Sequence, residues 1–132
     1  MKIGELAREA GVAIDTVRYY ERQGLLPEAE RTLSGYRRYA APDVERVRFI
    51  RRAKALGFTL SEIGELLALS ERRGADMAGM KRAAEAKLHD VDARIAELQR
   101  IRGGLEVLVA SCPGRGELEH CPILGTLSGD DQ

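Results

Sequence analysis

Between Ala84 and Leu98 the apolar positions step by four, three, four and three residues, through Leu88, Val91 and Ile95, and Leu105 follows one heptad later. Met77, Met80 and Leu108 carry the stripe outward at both ends. Such a stripe implies a helix of about 30 residues, roughly 45 Å long at ~1.5 Å per residue. It also needs a cover, and no other segment of the 132-residue chain reads as long enough to lie along it. An antiparallel two-stranded coiled coil between two copies is the economical solution; the competing arrangement packs the helix on its own head. The chain divides accordingly. Residues 1–70 form a head, 71–75 a glycine-containing linker leading to Asp76 as helix cap, 76–110 the dimerisation helix, and 111–132 a loop with a short C-terminal segment.

The head reads as short helices. Ile3, Leu6, Ala7 and Ala10 share a helical face that Gly11 terminates; Ile14, Val17, Arg18 and Glu21 resume it, and Gly24 ends the second helix. Two short helices about a tight turn make a helix-turn-helix unit or an ordinary αα-hairpin. Leu25-Leu26-Pro27 then leads to Arg31-Thr32-Leu33-Ser34-Gly35-Tyr36-Arg37-Arg38-Tyr39. Ser34-Gly35 is a turn and the residues after it alternate, which predicts a small β-hairpin, or wing. Pro42-Asp43 opens an arginine-rich third helix (Arg46, Arg48, Arg51, Arg52) running to Leu56-Gly57. Thr59 with Glu62 three residues on is a capping box, and it starts a fourth helix bearing Ile63, Leu66, Leu67 and Leu69. The expected fold is mainly α: a winged helix-turn-helix DNA-binding head, a long coiled-coil helix and a C-terminal metal-binding loop.

Charge is unevenly shared. Residues 1–60 hold twelve Lys/Arg against eight Asp/Glu, and residues 61–132 hold nine against thirteen. A basic front half suits phosphate. No apolar run approaches the ~20 residues that cross a bilayer, and Glu5 comes too early for a signal peptide. The expected location is therefore cytoplasmic, with no membrane partner. In that reducing compartment the only two cysteines, Cys112 and Cys121, read as a metal or redox site rather than a structural disulfide. Eight residues separate them and each precedes a proline; Pro113, Gly114, Gly116 and Pro122 let the loop turn back so that both sulfurs meet. Thiolate is a soft ligand for Cu(I), Zn(II), Cd(II) or Hg(II). The two histidines, His89 and His120, build no nucleophile-base-orienter set, so no enzyme is expected.

The ordered string Ile3-Gly4-Glu5-Leu6-Ala7, Thr16-Val17-Arg18-Tyr19-Tyr20-Glu21-Arg22-Gln23-Gly24-Leu25-Leu26, Gly35-Tyr36-Arg37-Arg38-Tyr39, Phe49-Ile50 and Leu56-Gly57-Phe58-Thr59-Leu60 resembles the MerR family of bacterial transcription activators. The tail, Cys112-Pro113-Gly114 and His120-Cys121-Pro122-Ile123-Leu124, is similar to that family's metal-sensing branch. The resemblance implies a homodimer on a near-palindromic operator in double-stranded promoter DNA whose core elements are spaced too far apart. It also implies that the metal-bound dimer bends and untwists the spacer so that RNA polymerase can use it. Distortion of that kind costs a few kcal/mol, so a small shift between two heads can decide it.

On this reading the second helix enters the major groove. Asp15 lies in its first turn, and Thr16, Arg18 and Tyr19 on its outward half; Arg18 would bind guanine or clamp a phosphate, and Thr16 and Tyr19 would hold phosphate or sugar. Tyr20 divides between DNA contact and core packing. Arg37 and the Tyr36 hydroxyl would bind backbone from the wing, with Arg31 and Lys54 as further phosphate contacts, whereas Arg46 and Arg48 read as a solvated face. For the metal, Cys112 and Cys121 are the ligands, with His120 and Met77 as further candidates. Two sulfurs favour a copper-group ion, Cu(I), Ag(I) or Au(I), since tightly held zinc ordinarily takes four ligands. The resemblance adds that divalent sensors carry a cysteine at the start of the dimer helix, where this chain has Met77. Against this, the eight-residue spacing is that of mercury and zinc sensors, and His120 adjoins Cys121. The expectation is a copper-responsive activator. The alternatives are a divalent-ion (Zn, Cd, Hg or Pb) sensor of the same family and a thiol-redox or electrophile sensor.

Overall fold

The computed structural model describes residues 1–129 except 28, 34, 36, 73 and 75, with backbone alone at 30 and 37. Its elements are α1 (Ile3–Ala10), α2 (Ile14–Arg22), β1 (Glu30–Arg31), β2 (Arg37–Arg38), α3 (Ala41–Ala55), α4 (Leu60–Ser70), α5 (Met77–Ser111), a single 3-10 turn (Leu118–His120) and α6 (Pro122–Leu127). The fold is mainly helical. Two compact units result, Met1–Lys87 and Leu88–Gln132.

Several helix boundaries have a local chemical cause. Gly11 adopts φ +74°, the left-handed conformation in which its N–H reaches back to the carbonyls of Ala7 and Arg8 and closes α1. The Asp43 carboxylate accepts the Ala40 N–H at 2.9 Å at the start of α3. The Thr59–Glu62 box is closed from both sides. The Glu62 N–H donates to Thr59 Oγ1 at 3.2 Å, and the Thr59 N–H donates to Glu62 Oε1 at 2.8 Å. Asp76 caps the start of α5 by accepting the Ala78 N–H at 2.9 Å.

The apolar faces of α1 to α4 converge on one core, in which Leu6, Val17, Leu26, Val47, Ile50 and Ile63 are fully buried. The wing is short: β1 and β2 pair antiparallel with Glu30 opposite Arg38 and Arg31 opposite Arg37. A two-residue ladder has little stability of its own, and tertiary contacts anchor it. Tyr39, 2% exposed, donates its N–H to the Met1 carbonyl and accepts from the Met1 nitrogen, both at 2.7 Å, while its hydroxyl donates to Glu21.

Two arginines behave unlike the solvated face expected of them. Arg46 donates through Nε to the Leu25 carbonyl at 2.6 Å and pairs with Glu71, so it ties α3 to the end of α2 and to the C-terminus of α4. Arg48 pairs with Glu45 at 2.9 Å and donates to the Glu9 carbonyl at 2.9 Å. Lys87, on α5, is the one charged side chain buried among the described residues. Its Nζ lies 2.8 Å from Glu62 Oε1 and 5.6 Å from the centre of the Phe58 ring.

Beyond Lys87, the second unit shows the opposite character. Leu88, Val91, Ile95, Leu98, Ile101 and Leu105 are all more than a third exposed, and apart from Lys87 no residue of α5 is buried. The heptad stripe thus carries Ile101 as an added member and is uncovered within its own unit. No helix among the described residues is long and apolar enough to cross a membrane.

Candidate nucleic-acid interface and metal centre

On α2 the 3.6-residue period separates packing from display. Val17 and Tyr20 point into the core, at 0% and 3% exposure. Asp15, Arg18 and Tyr19 are exposed and Thr16 is half-buried. Tyr20 therefore leaves the set of DNA contacts: a ring this buried offers no surface, and burial raises its hydroxyl pKa, with Arg51 opposing and Tyr19 assisting. Tyr19 presents an open ring, 6.3 Å from that of Tyr20, with the Arg22 guanidinium 5.9 Å from its centre. The Arg18 guanidinium lies 3.7 Å from the Asp15 carboxylate, both well exposed, so the pair is loose and Arg18 can turn to an anion. Arg31, on β1, and Lys54, on α3, are exposed. The Tyr36 assignment and that of the Arg37 side chain lie outside the described residues, although the Arg37 backbone belongs to β2.

The second unit builds the thiol site. α5 ends at Ser111, and the chain reverses through Gly114 and Gly116, at φ +75° and +110°. These are backbone conformations that a Cβ would strain. The reversal sets Cys112, just past the end of α5, and Cys121, at the start of α6, at the two ends of one short loop. Cys121 occupies the N-cap position of α6, with Pro122 in its first turn. No full capping hydrogen bond closes on the sulfur, yet the N–H groups facing it favour the thiolate. The Leu124 N–H lowers the thiol pKa most; the Ile123 N–H and the Cys112 side chain act in the same sense, against an opposing desolvation. Both cysteines are free and half-buried. Two sulfurs on one short loop, one biased to thiolate, suit a soft ion.

His120 does not group with the pair among the described residues. Among the described residues, the group of three metal-competent side chains is Glu117, Glu119 and His120, whose donor atoms lie within 4.8 Å of one another. His120 Nε2 is 3.4 Å from Glu119 Oε1, and both side chains are open to solvent. The imidazole is thus turned to carboxylates. Met77, the first residue of α5, belongs to the first unit and is 87% exposed. The sequence gives no sign of the role of Lys87, and it marks Arg46 only as part of a solvated face. A lysine or arginine on an amphipathic helix normally holds its charge in water, and the partners that engage these two come from elsewhere in the chain.

Comparisons with known proteins give the family of the chain. Residues 1–70 match the family model described as MerR HTH family regulatory protein, and residues 44–108 match the one described as MerR, DNA binding. The mercuric resistance operon regulatory protein of Bacillus cereus is 44% identical over 126 residues, covering 96% of each chain. The transcription regulator PbrR691 of Ralstonia metallidurans, solved in complex with lead(II), superposes with a TM-score of 0.87 at 36% identity, covering 96% of this chain and 98% of that one. The dual-function regulator MerR of Bacillus megaterium, solved with mercury(II), gives a TM-score of 0.71 at 41% identity, covering 97% and 99%.

Proposed function

The chain belongs to the MerR family of helix-turn-helix regulators, and from that premise we propose that it is a cytoplasmic, metal-responsive transcriptional regulator whose signal is a soft divalent ion of the mercury(II) or lead(II) class. Regulators of this family bind promoter DNA as dimers and work on RNA polymerase. Here the uncovered stripe of Leu88, Val91, Ile95, Leu98, Ile101 and Leu105 supplies the dimer seam. Asp15, Thr16, Arg18 and Tyr19 of α2 read and clamp the duplex, and Arg31, Tyr36, Arg37 and Lys54 add backbone contacts. The protein acts by binding and distortion rather than by catalysis.

The observation that carries the reading is the pair of free, half-buried cysteines, Cys112 just past the end of α5 and Cys121 at the start of α6, in a chain whose head has the DNA-reading fold. These two residues would hold the ion, and a bound ion supplies a fixed link between the end of α5 and the start of α6. Loading releases thiol protons, and the N–H groups facing Cys121 ease that release.

The copper-group preference gives way. It rested on the count of two sulfurs and on Met77, but the relatives compared above are named for mercuric resistance or were solved with lead(II) or mercury(II), and they support the divalent alternative. The eight-residue spacing, which the family resemblance assigns to mercury and zinc sensors, points to the same divalent class. A reporter driven by the cognate promoter, challenged with mercury, lead, cadmium, zinc, copper and silver salts, tests the proposal. Induction by mercury or lead at the lowest concentrations is expected. Induction by copper and silver alone would restore the copper-group reading, and induction by oxidants without metal would favour a thiol-redox sensor.

A further inference from the structure

Lys87 occupies an unusual place. It is 7% exposed in a helix otherwise without buried residues, and the first compact unit ends with it. Lysine is almost never this buried unless its charge is met. Here the charge is met by the head. Nζ lies 2.8 Å from Glu62 Oε1 and 5.6 Å from the centre of the Phe58 ring, and its stem runs beside the turn at Gly57, where a Cβ would come within 3.9 Å of Lys87 Cδ. The same Glu62 oxygen accepts the Thr59 N–H at 2.8 Å, and so also closes the N-terminus of α4. One carboxylate therefore joins three parts: the turn between α3 and α4, the first turn of α4, and α5.

We infer that Lys87, through Glu62 and Phe58, is the positioning residue that fixes α5 to the α3–α4 turn, so that movement of the dimerisation helix is passed to the DNA-reading head. The site assigned above binds the signal and α2 binds the duplex; Lys87 touches neither. Three features support the assignment. An ammonium held by both a carboxylate and an aromatic face resists sliding as well as separation, because each partner fixes a different direction. Phe58 immediately precedes the Thr59–Glu62 capping box and Glu62 belongs to it, so displacement at Lys87 reaches the start of α4 rather than a loose loop. The partner carboxylate is also partly open to solvent. Glu62 is 36% exposed, so an apolar replacement of Lys87 leaves no stranded buried charge.

The inference rests on the metal-responsive reading, and the test separates the two. Purified full-length wild type, Lys87→Met, Lys87→Arg and Glu62→Gln are compared on a duplex operator with dyes at its ends. Binding of the ion, operator affinity without the ion, and ion-dependent change in energy transfer are measured. Lys87→Met is expected to keep ion and operator affinities within threefold of wild type while losing at least tenfold of the ion-dependent change. Lys87→Arg, which keeps the charge, is expected to recover most of it. Glu62→Gln, which still accepts the Thr59 N–H, is expected to resemble Lys87→Met. Amide exchange supplies a readout independent of metal. The 57–62 and 80–87 segments are expected to exchange at least fivefold faster in Lys87→Met, with the 3–26 segment unchanged. A wild type indifferent to every soft ion would refute the metal reading, and the exchange pattern would still judge the joint. A wild type that responds alongside an equally responsive Lys87→Met refutes the joint alone. Loss of operator binding in step with melting temperature across all variants also overturns it, as a merely structural role.

Discussion

Cys112 and Cys121 stand half-buried at the two ends of a glycine-bent loop, and the N–H groups of Leu124 and Ile123 favour a thiolate on the second. Replacing either sulfur by oxygen changes a soft ligand to a hard one with little change in volume. Cys112→Ser and Cys121→Ser are each expected to abolish induction while operator affinity, measured by gel shift, stays within threefold; wild-type induction by either variant would remove the site. His120→Ala is expected to keep the metal profile, because the imidazole faces Glu119 at 3.4 Å in an exposed group. Glu62 gives a pH signature. The Lys87 side chain foremost, and then the Thr59 backbone, hold its carboxyl down to about 2 from an ordinary 4.5. A depressed carboxylate contributes stability that is present above its unfolded pKa and lost as pH falls through the folded one. In urea titrations, the advantage of wild type over Glu62→Gln should be constant above about pH 5 and shrink steadily toward pH 2. An advantage that grows on acidification would contradict the pairing.

At the scale of elements, α4 depends on the Thr59 cap. Thr59→Ala removes the acceptor for the Glu62 N–H and is expected to cost about 1 kcal/mol, read as a lower urea midpoint at unchanged slope. The stripe on α5 makes a larger demand. Ile95, Leu98 and Ile101 are roughly half exposed or more in the single chain, so Leu98→Glu should convert a dimer to monomers in sedimentation at micromolar concentration; a dimer that survives would mean the seam lies elsewhere. The elements were legible in the sequence because each is specified locally. Gly11 stops α1, Thr59 and Glu62 start α4, and the 4-3-4-3 spacing writes α5. What was not legible is specified across long separations. Tyr20 carries a polar tip on a helix meant for DNA, and only the assembled core shows that the ring is taken up by packing. Arg46 finds Leu25 and Glu71, and Lys87 finds Glu62, all more than twenty residues away. No periodicity encodes such pairs. The thiol pair was legible because two cysteines bracketing a proline- and glycine-containing loop leave few other uses. The metal was not, since sulfur count and spacing pointed in opposite directions.

For the whole molecule, the uneven charge and the two-headed assembly lead to one measurable expectation. Arg18, Arg31, Arg37 and Lys54 offer four candidate cations per head, so a dimer on its operator would neutralise about eight phosphates, and log K should fall against log[salt] with a slope of roughly −7. If the ion acts by shifting the heads rather than by making or breaking contacts, that slope must be the same with and without metal. The DNA shape must then change instead. Deforming the spacer costs a few kcal/mol, and the ion can contribute no more than the difference between its affinities for the two dimer conformations. Operator affinity should therefore move only a few-fold on loading, while energy transfer across the operator changes markedly at saturating protein. Titration at several salt concentrations, with mercury(II) or lead(II) and without, separates these quantities. A slope that drops by two or more on loading would mean that the ion releases phosphate contacts. The protein would then work by leaving its operator, not by bending it.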